Sequence, residues 1–123
     1  SAVCFMLGIP DSPDNGYFQV KDARIEGNTI LDCATPFVIG VRGDKKASLP
    51  PVGVSINGNT VISPNATAVD ARCDITGIQW ADNTIHAKSS GLPPTAGIRE
   101  GPAKAIKPAT ITTRKDVGPT WWK

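Results

Sequence analysis

The sequence has little of what marks several large protein classes. Its 123 residues carry a formal net charge of only +2, without a dense run of lysine and arginine. Recognition of a phosphate backbone needs a focused basic face, so nucleic acid is not an expected partner. No apolar run approaches the roughly 20 residues needed to cross a bilayer, so a membrane partner is not expected either.

Signatures of metal sites and disulfides are also sparse. The three cysteines, Cys4, Cys33 and Cys73, lack CxxC spacing, and there is a single histidine, so a zinc site is not indicated. The odd count argues against a disulfide framework, and we expect three small buried thiols. By alternation His86 falls at an outward-facing strand position, and we interpret it as structural or solvated rather than catalytic.

Long helices are equally unexpected, because 11 prolines and 12 glycines interrupt the chain too often. Apolar residues nevertheless make up 40% of the chain and charged residues 20%, which is typical of a folded protein. At this length the chain forms one domain at most, or a piece of one.

A repeat is the main signal in the sequence. Three segments each contain an apolar residue, two polar or small residues, Asn-Thr and a β-branched residue; they are 23–32, 54–63 and 78–87. Their Asn-Thr pairs begin at Asn28, Asn59 and Asn83, which stand 31 and 24 residues apart. This is the size of one coil of a parallel β-helix. The Gly and Asn residues around each pair tolerate the left-handed backbone of a sharp turn.

We therefore predict an all-β fold, a right-handed parallel β-helix made of stacked coils. Asparagines at equivalent corners can stack through their side-chain amides. Their aliphatic neighbours are expected to point inward: Ile25, Ile30, Ile56, Val61, Ile78 and Ile85. The alternative is an antiparallel β-sandwich with hairpin turns at the Asn-Gly-like sites, but the aligned Asn-Thr pairs favour the solenoid.

We assign the whole chain, 1–123, to the C-terminal segment of a single β-helix domain. Residues up to about 88 form the coils, and 89–123 form an extended C-terminal tail that packs on the body. Trp121 and Trp122 are expected to pack back, since a solenoid must cover its last coil. The strand within 2–7 is expected to be an edge that preceding coils cover.

Further stretches outside the repeat carry a pattern of their own; they are 8–13 (GIPDSP), 16–20 (GYFQV), 28–30 (NTI), 37–41 (FVIGV) and 116–121 (DVGPTW). In these stretches the sequence resembles polysaccharide lyase family 6, the alginate lyases and chondroitinase B. The resemblance runs over nearly the whole chain, but it matches only the C-terminal part of the family's catalytic domain.

The resemblance implies that a uronate-containing glycan, most of all alginate, is cleaved by β-elimination. In such enzymes a calcium ion usually neutralises the uronate carboxylate, a lysine takes the C5 proton and an arginine assists. The resemblance implies that these catalytic residues lie upstream of Ser1, so calcium would be bound by residues outside this chain. We expect this chain alone to be inactive, to be completed by the N-terminal part of the same enzyme, possibly a separate chain, and to be secreted or periplasmic.

One loop that the resemblance places near substrate contains Asp14, Asn15 and Tyr17. Tyr17 either stacks on a sugar ring or packs against the coil with its hydroxyl at the surface. Asp14 and Asn15 either bind sugar hydroxyls or orient a basic group, or they simply form the turn.

A second loop matches a basic substrate-binding loop of the family and contains Arg42, Lys45 and Lys46. A polyanionic glycan needs cations at the spacing of its carboxylates, and arginine offers a bidentate grip. We expect Arg42 and Lys45 to contact the acidic polysaccharide. The alternative, which we prefer for Lys46, is a solvated loop partly neutralised by Asp44.

A second class of function remains open at this stage. The chain could be a non-catalytic β-helix segment that binds glycan or assembles with other chains, as in phage tailspikes. The basic loop and the motif over 8–20 favour the lyase.

Overall fold

The computed structural model describes residues 1–11 and 17–102, and in these residues all regular structure is β-strand. Accordingly, no helix of the described part is long and apolar enough to cross a membrane. The strands follow one another in sets of three, with a tenth added at the end: β1 (Val3–Met6), β2 (Arg24–Glu26), β3 (Thr29–Leu31), β4 (Phe37–Val41), β5 (Val54–Asn57), β6 (Thr60–Thr67), β7 (Val69–Ala71), β8 (Ile78–Ala81), β9 (Asn83–Ser89) and β10 (Ile98–Glu100).

Every third strand returns to the same sheet. The first sheet has the order β1-β4-β7, the second β2-β5-β8 and the third β3-β6-β9-β10. All the strand pairs in these sheets are parallel. The chain therefore winds as a right-handed parallel β-helix, which confirms the predicted fold class.

The repeated segments occupy the same place in successive coils. Thr29 pairs with Thr60, and Thr60 pairs with Thr84, so the asparagine that precedes each threonine lies at one shared corner between the second and third sheets. Gly27 and Gly58 make the turn into this corner with φ of 65° and 67°. The prediction that three asparagines share a corner is confirmed.

Inward-facing side chains stack into one core along the solenoid axis. Ile56 is fully buried at 0% exposure. Of the predicted core residues, five are buried and Ile25 is partly buried against the same cluster. Trp80, which stacks on Ile56 in register, meets Phe37 edge to face with ring centroids 6.2 Å apart. Apolar burial of this kind is the main stabilising contribution in such a fold.

The expected burial of the three thiols is wrong in part. Cys4 is exposed, and Cys33 and Cys73 are only partly buried; all three are free. Alternation along β1 explains Cys4, since Phe5 beside it points into the core.

His86 was interpreted as structural or solvated, and the structure shows that it is buried and not solvated. Its side chain is buried at 6% exposure, and its Nδ1 lies 3.1 Å from the carbonyl oxygen of Pro102. A Cβ added at Gly101 would overlap the imidazole ring, so this later part of the chain lies directly over the histidine. Alternation predicts the direction of a side chain, but it does not predict whether a segment distant in sequence covers that side chain.

The last described strand extends the third sheet. Ile98 pairs with Asn83, and Glu100 pairs with Ile85, so a carboxylate follows the aliphatic stack of Ile30, Val61 and Ile85. Glu100 Oε1 accepts a hydrogen bond of 2.9 Å from the Ser90 backbone. Most of the predicted tail, with Trp121 and Trp122, lies outside the described residues, and its packing stays a prediction.

Candidate functional site

Three chain segments connect the first sheet to the second, and together they form what we call the loop corner: residues 7–23, 42–53 and 72–77. The first two are much longer than the third. They contain the loops in which the sequence predicted substrate contacts. Because a parallel β-helix stacks equivalent connections above one another, both loops lie at the same corner.

Backbone hydrogen bonds join the two long loops. Gly8 N donates to Leu49 O at 2.9 Å, and the amides of Ser48 and Leu49 both donate to Gly8 O at 2.9 Å. Gln19 adds a side-chain bond from its Nε2 to Pro50 O at 2.7 Å. A residue larger than glycine does not fit at position 8, where a Cβ would lie 2.6 Å from the Gln19 backbone. The described parts of the two loops, 7–11 with 17–23 and 42–53, therefore form one continuous surface.

The basic loop has a defined turn at its centre. Asp44 Oδ1 accepts a hydrogen bond of 2.7 Å from Lys46 N, and Ala47 N donates to Asp44 O at 3.0 Å. Ala47 is buried at 1% exposure and anchors the turn to the body. Asp44 thus acts as an Asx-turn residue, and no described salt bridge joins it to a cation of this loop.

The predicted substrate-binding residues that the structure describes all lie on this corner. Tyr17 is 47% exposed, and Arg42 and Lys45 are exposed. Tyr17 is held through its backbone, whose carbonyl accepts a 2.8 Å bond from Ile9 N. Asp14 and Asn15 fall outside the described residues. Contact of any of these five with a glycan stays a prediction.

Phe18 is a residue that sequence reasoning missed. At 74% it has the most exposed side chain among the large exposed hydrophobics of the described residues. It follows Tyr17 on the segment that runs beside 49–52, where Lys21 bridges to Val52. Alternation from Tyr17 did not reveal it, because in this irregular loop both aromatic side chains reach solvent. An exposed aromatic face beside cations suits a sugar ring that carries a carboxylate.

The third connection carries a cation of a different character. Arg72 is bound to Asp70 by a 2.8 Å salt bridge, and the hydrogen bond that Arg72 Nε donates to Asp70 Oδ2 raises the pKa of Arg72. This is the one salt bridge within residues 1–11 and 17–102. Of the two arginines within the loop corner, Arg42 and Arg72, Arg42 is thus the one without an intramolecular carboxylate partner in the described structure.

Cys73 lies beside this salt bridge and packs under Gly40, where an added Cβ would come within 2.6 Å of Cys73 Sγ. Burial raises the pKa of the Cys73 thiol, and the charge of Asp74 raises it further. A raised thiol pKa disfavours the thiolate, so Cys73 does not have the character of a nucleophile.

The described residues offer no metal centre. Among them there is no group of three or more His, Cys, Asp or Glu side chains that could hold an ion. Calcium needs six to eight oxygen ligands, so the described residues do not fit such a site. A calcium site therefore stays a prediction about residues outside this chain.

The catalytic residues that the resemblance implies upstream of Ser1 likewise stay a prediction. Ser1 is exposed and precedes β1, which begins at Val3 on the open edge of the first sheet. Neither Ser1 nor β1 carries a lysine or an arginine that could act as the base or its assistant. The position of the catalytic residues before Ser1 thus stays a prediction.

A cleft of about 260 Å³ lies at a different corner, between the third and first sheets. Asp32, Cys33, Ser63 and Asn65 are among its lining residues, and Cys33 N donates to Ser63 Oγ at 2.9 Å. The sequence predicted no site here, and the cleft contains neither a cation nor an aromatic ring for an acidic sugar among its described lining residues.

Comparison with known proteins places the fold in a class. No protein-family model matches the chain, and no curated protein matches it. Solved structures do match, and among them are structures of a polysaccharide lyase. The chain thus resembles the parallel β-helix of this class of enzyme.

The particular structures are those of the PL6 family alginate lyase AlyGC and of an arginine-to-alanine mutant of it. The first is 27% identical with a TM-score of 0.66, and the match covers 79% of this chain and 13% of that chain. The second is 29% identical with the same TM-score and coverage. The predicted resemblance to polysaccharide lyase family 6 is confirmed, and the chain spans only a small part of the protein it matches.

Proposed function

We propose that this chain is part of a polysaccharide lyase that cleaves a uronate-containing glycan, most of all alginate, by β-elimination. The observation that carries this proposal is the match to a PL6 alginate lyase over 79% of the chain. Because the chain corresponds to 13% of that protein, the activity is proposed for a longer polypeptide or assembly that contains it.

The proposed reaction needs no water as a reactant. A base removes the proton on C5 of the uronate, the electron pair forms a C4–C5 double bond, and the glycosidic oxygen leaves C4 and takes up a proton. Removal of a proton beside a carboxylate requires that its negative charge be stabilised, which bound calcium would supply outside this chain. None of the described residues is assigned as the base.

The role proposed for this chain is to hold the polymer at the loop corner. Arg42 and Lys45 provide cations for the carboxylates of successive sugars, and Tyr17 and Phe18 provide ring faces for stacking. The connection between the two loops through Gly8 and Leu49 keeps these groups on one rigid surface. Pre-organised contacts of this kind bind at lower entropic cost than mobile ones.

The reaction is tested with the longest native polypeptide that contains this chain. Incubation with alginate should produce the ultraviolet absorbance of an unsaturated uronate, and a neutral β-glucan should give none. A panel of other polyuronates, including dermatan sulfate, would define the substrate. Tight alginate binding without new absorbance would overturn the lyase proposal and support the non-catalytic, tailspike-like alternative.

Two substitutions test the loop corner in that polypeptide. Arg42→Ala should raise KM for alginate roughly 2- to 5-fold, as expected for loss of an exposed ion pair, and this effect should fade at high salt. Phe18→Ala should also raise KM, but without salt dependence, because stacking is not ionic.

Arg99→Ala is the matched control, since Arg99 is exposed on β10 of the third sheet, away from the loop corner. Equal KM changes for Arg42→Ala and Arg99→Ala would contradict a site at the corner without deciding whether the protein is a lyase.

A further inference from the structure

A bulge in β6 forms one wall of the cleft between the third and first sheets. Ser63 pairs with Ala87, and Thr67 pairs with Ser89. Three residues of β6 thus stand opposite a single residue of β9, and this excess turns β6 out of its ladder. The turn that follows β3 forms the other wall. The cleft therefore exists because one strand departs from the regular winding of the coil.

Hydrogen bonds fix the turn after β3 against β6. Asp32 N donates to Ile62 O at 2.9 Å, and Cys33 N donates to Ser63 Oγ at 2.9 Å. Asp32 has a left-handed backbone with φ of 46°, a conformation that aspartate adopts more readily than most residues. The two walls are thus joined to each other, and the cleft has a defined shape.

A buried hydroxyl group lines this cleft. Ser63 is only 2% exposed, and its Oγ accepts the hydrogen bond from Cys33 N. A hydroxyl group can accept one hydrogen bond and donate another at the same time. No described residue accepts the hydroxyl proton of Ser63. Ser63 therefore has a donor that a ligand in the cleft can use.

Two exposed polar side chains complete the lining, and the remainder is largely apolar. Asp32 and Asn65 make no side-chain hydrogen bond to any described residue. A carboxylate accepts from hydroxyl groups, and an amide both donates and accepts. Ala34, Pro64 and Ala66 add apolar surface. An apolar surface with a few convergent polar groups is typical of a small-ligand site.

We infer that this cleft binds one sugar unit that carries no carboxylate. Pockets for drug-sized ligands measure about 300–1,000 Å³, so a cleft of about 260 Å³ suits a ligand as small as a single pyranose. The sugar hydroxyls bond to Asp32 and Asn65, Ser63 donates to a sugar oxygen, and the C–H groups of the ring contact Pro64.

The charge of the cleft decides between neutral and acidic sugars. Asp32 is the one charged side chain among the lining residues, and its carboxylate repels that of a uronate. The loop corner has the opposite character, because Arg42 and Lys45 are exposed there. The cleft is thus a second carbohydrate site with a different preference, and it does not depend on the proposed lyase reaction.

Saturation-transfer NMR tests binding in the longest native polypeptide that contains the chain. The probes are the methyl glycosides of glucose, galactose and mannose. At least one should bind saturably with a Kd of about 1–10 mM, as expected for a ligand of about a dozen non-hydrogen atoms. Asn65→Ala should weaken this binding about 2- to 10-fold through the loss of a hydrogen bond. Absence of saturable binding, or binding that Asn65→Ala leaves unchanged, would overturn the inference.

Protection of Cys33 locates the bound sugar and tests its charge preference. The neutral glycoside that binds should slow modification of Cys33 by methyl methanethiosulfonate, followed by peptide mass spectrometry, and should leave exposed Cys4 unaffected. Methyl glucuronide should need about 2- to 5-fold higher concentration for the same protection at low salt. Protection by the glucuronide at equal or lower concentration would overturn the inference.

Asp32→Asn removes the charge and retains the turn, because asparagine also tolerates the left-handed backbone. In this variant methyl glucoside and methyl glucuronide should protect Cys33 at similar concentrations. Glu26→Gln is the matched control, since Glu26 is an exposed carboxylate on the second sheet, and it should leave the discrimination unchanged. If Asp32→Asn discriminates as strongly as the parent, the cleft does not select its sugar as inferred.

Discussion

Asn59 shows how a polar side chain can be buried in an aliphatic solenoid. It is 1% exposed, yet its Oδ1 accepts from the coil above and its Nδ2 donates to both neighbouring coils. No buried side-chain nitrogen or oxygen of the described residues lacks a partner. Burial of polar groups is tolerated when each has such a bond, and the hydrogen-bonded ladder of the corner asparagines, Asn28, Asn59 and Asn83, meets this condition.

Replacement of Asn59 by alanine should therefore be strongly destabilising. The change removes the side-chain bonds of Asn59 to the Asn28 backbone, the Ile25 carbonyl and buried Asn83, and each such bond contributes about 0.5–1.5 kcal/mol. The free energy of unfolding, measured in urea, should fall accordingly. Asn65→Ala, at an exposed position, should stay within about 0.5 kcal/mol of the parent. Similar losses for both variants would contradict a stabilising ladder.

Cys73 provides a test of residue-level electrostatics. Burial, and then Asp74, raise the pKa of its thiol, so the thiolate, which is the species that reacts, is scarce at neutral pH. Alkylation of Cys73 by iodoacetamide should be slow near pH 7 and should accelerate with pH to a midpoint above that of a model thiol. Asp74→Asn should lower this midpoint. Mass spectrometry of the modified peptide gives the rates, and a midpoint below the model value would refute the assignment.

At the residue scale the sequence revealed the repeated asparagines, because a corner that recurs in every coil leaves a recurring pattern. It did not reveal the exposure of Cys4 or the burial of His86. Cys4 lies at an outward position of a short strand, and its small apolar character suggested a core residue. The burial of His86 depends on Pro102, a contact that no local pattern contains.

At the scale of the elements, two glycine turns differ in the space that is left for a side chain. Gly27 and Gly97 both have positive φ, 65° and 84°. Open space surrounds a Cβ added at Gly27, whereas a Cβ at Gly97 would overlap the carbonyl of Trp80. The two positions thus separate backbone strain from steric overlap.

Gly27→Ala should cost about 1–2 kcal/mol of stability from the left-handed backbone alone. Gly97→Ala should cost about 1–3 kcal/mol more, because the added methyl group must displace the Trp80 backbone. Chemical denaturation of the two variants checks the difference. If both lose the same stability, the close approach of the two coils at Gly97 is not maintained in solution.

The loops illustrate what sequence patterns at this scale leave out. The sequence predicted two loops, and the resemblance placed Tyr17, Arg42 and Lys45 in them. The bonds between Gly8 and Leu49 join segments far apart in sequence, and no pattern announced them. Phe18 was missed for the same reason, since its exposure depends on how the two loops meet.

For the whole molecule, stability should follow the position of a residue along the solenoid. In a repeat architecture each coil gains stability from its neighbours. Ile56 and Ile25 occupy register-equivalent positions, but Ile56 in the middle coil is fully buried whereas Ile25 in the first coil is only partly so.

Ile56→Ala should cost about 2–5 kcal/mol, as is usual for deletion of a buried isoleucine side chain. Ile25→Ala should cost clearly less in the isolated chain, because solvent already reaches this side chain. In a longer polypeptide with a coil packed on β2, the loss at Ile25 should approach that at Ile56. Urea unfolding of both variants in both contexts measures this, and an unchanged loss at Ile25 would argue against a covering coil.

The three connections at the loop corner differ widely in length, while the asparagine corner between the second and third sheets keeps a nearly constant step. Chain length is therefore added where it disturbs neither the aliphatic stack nor the asparagines. This separation would let the ligand preference of the proposed site change while the scaffold stays the same. Exchange of 42–53 for a loop of another length should yield a folded protein with altered sugar selectivity, which makes this corner the natural place for engineering.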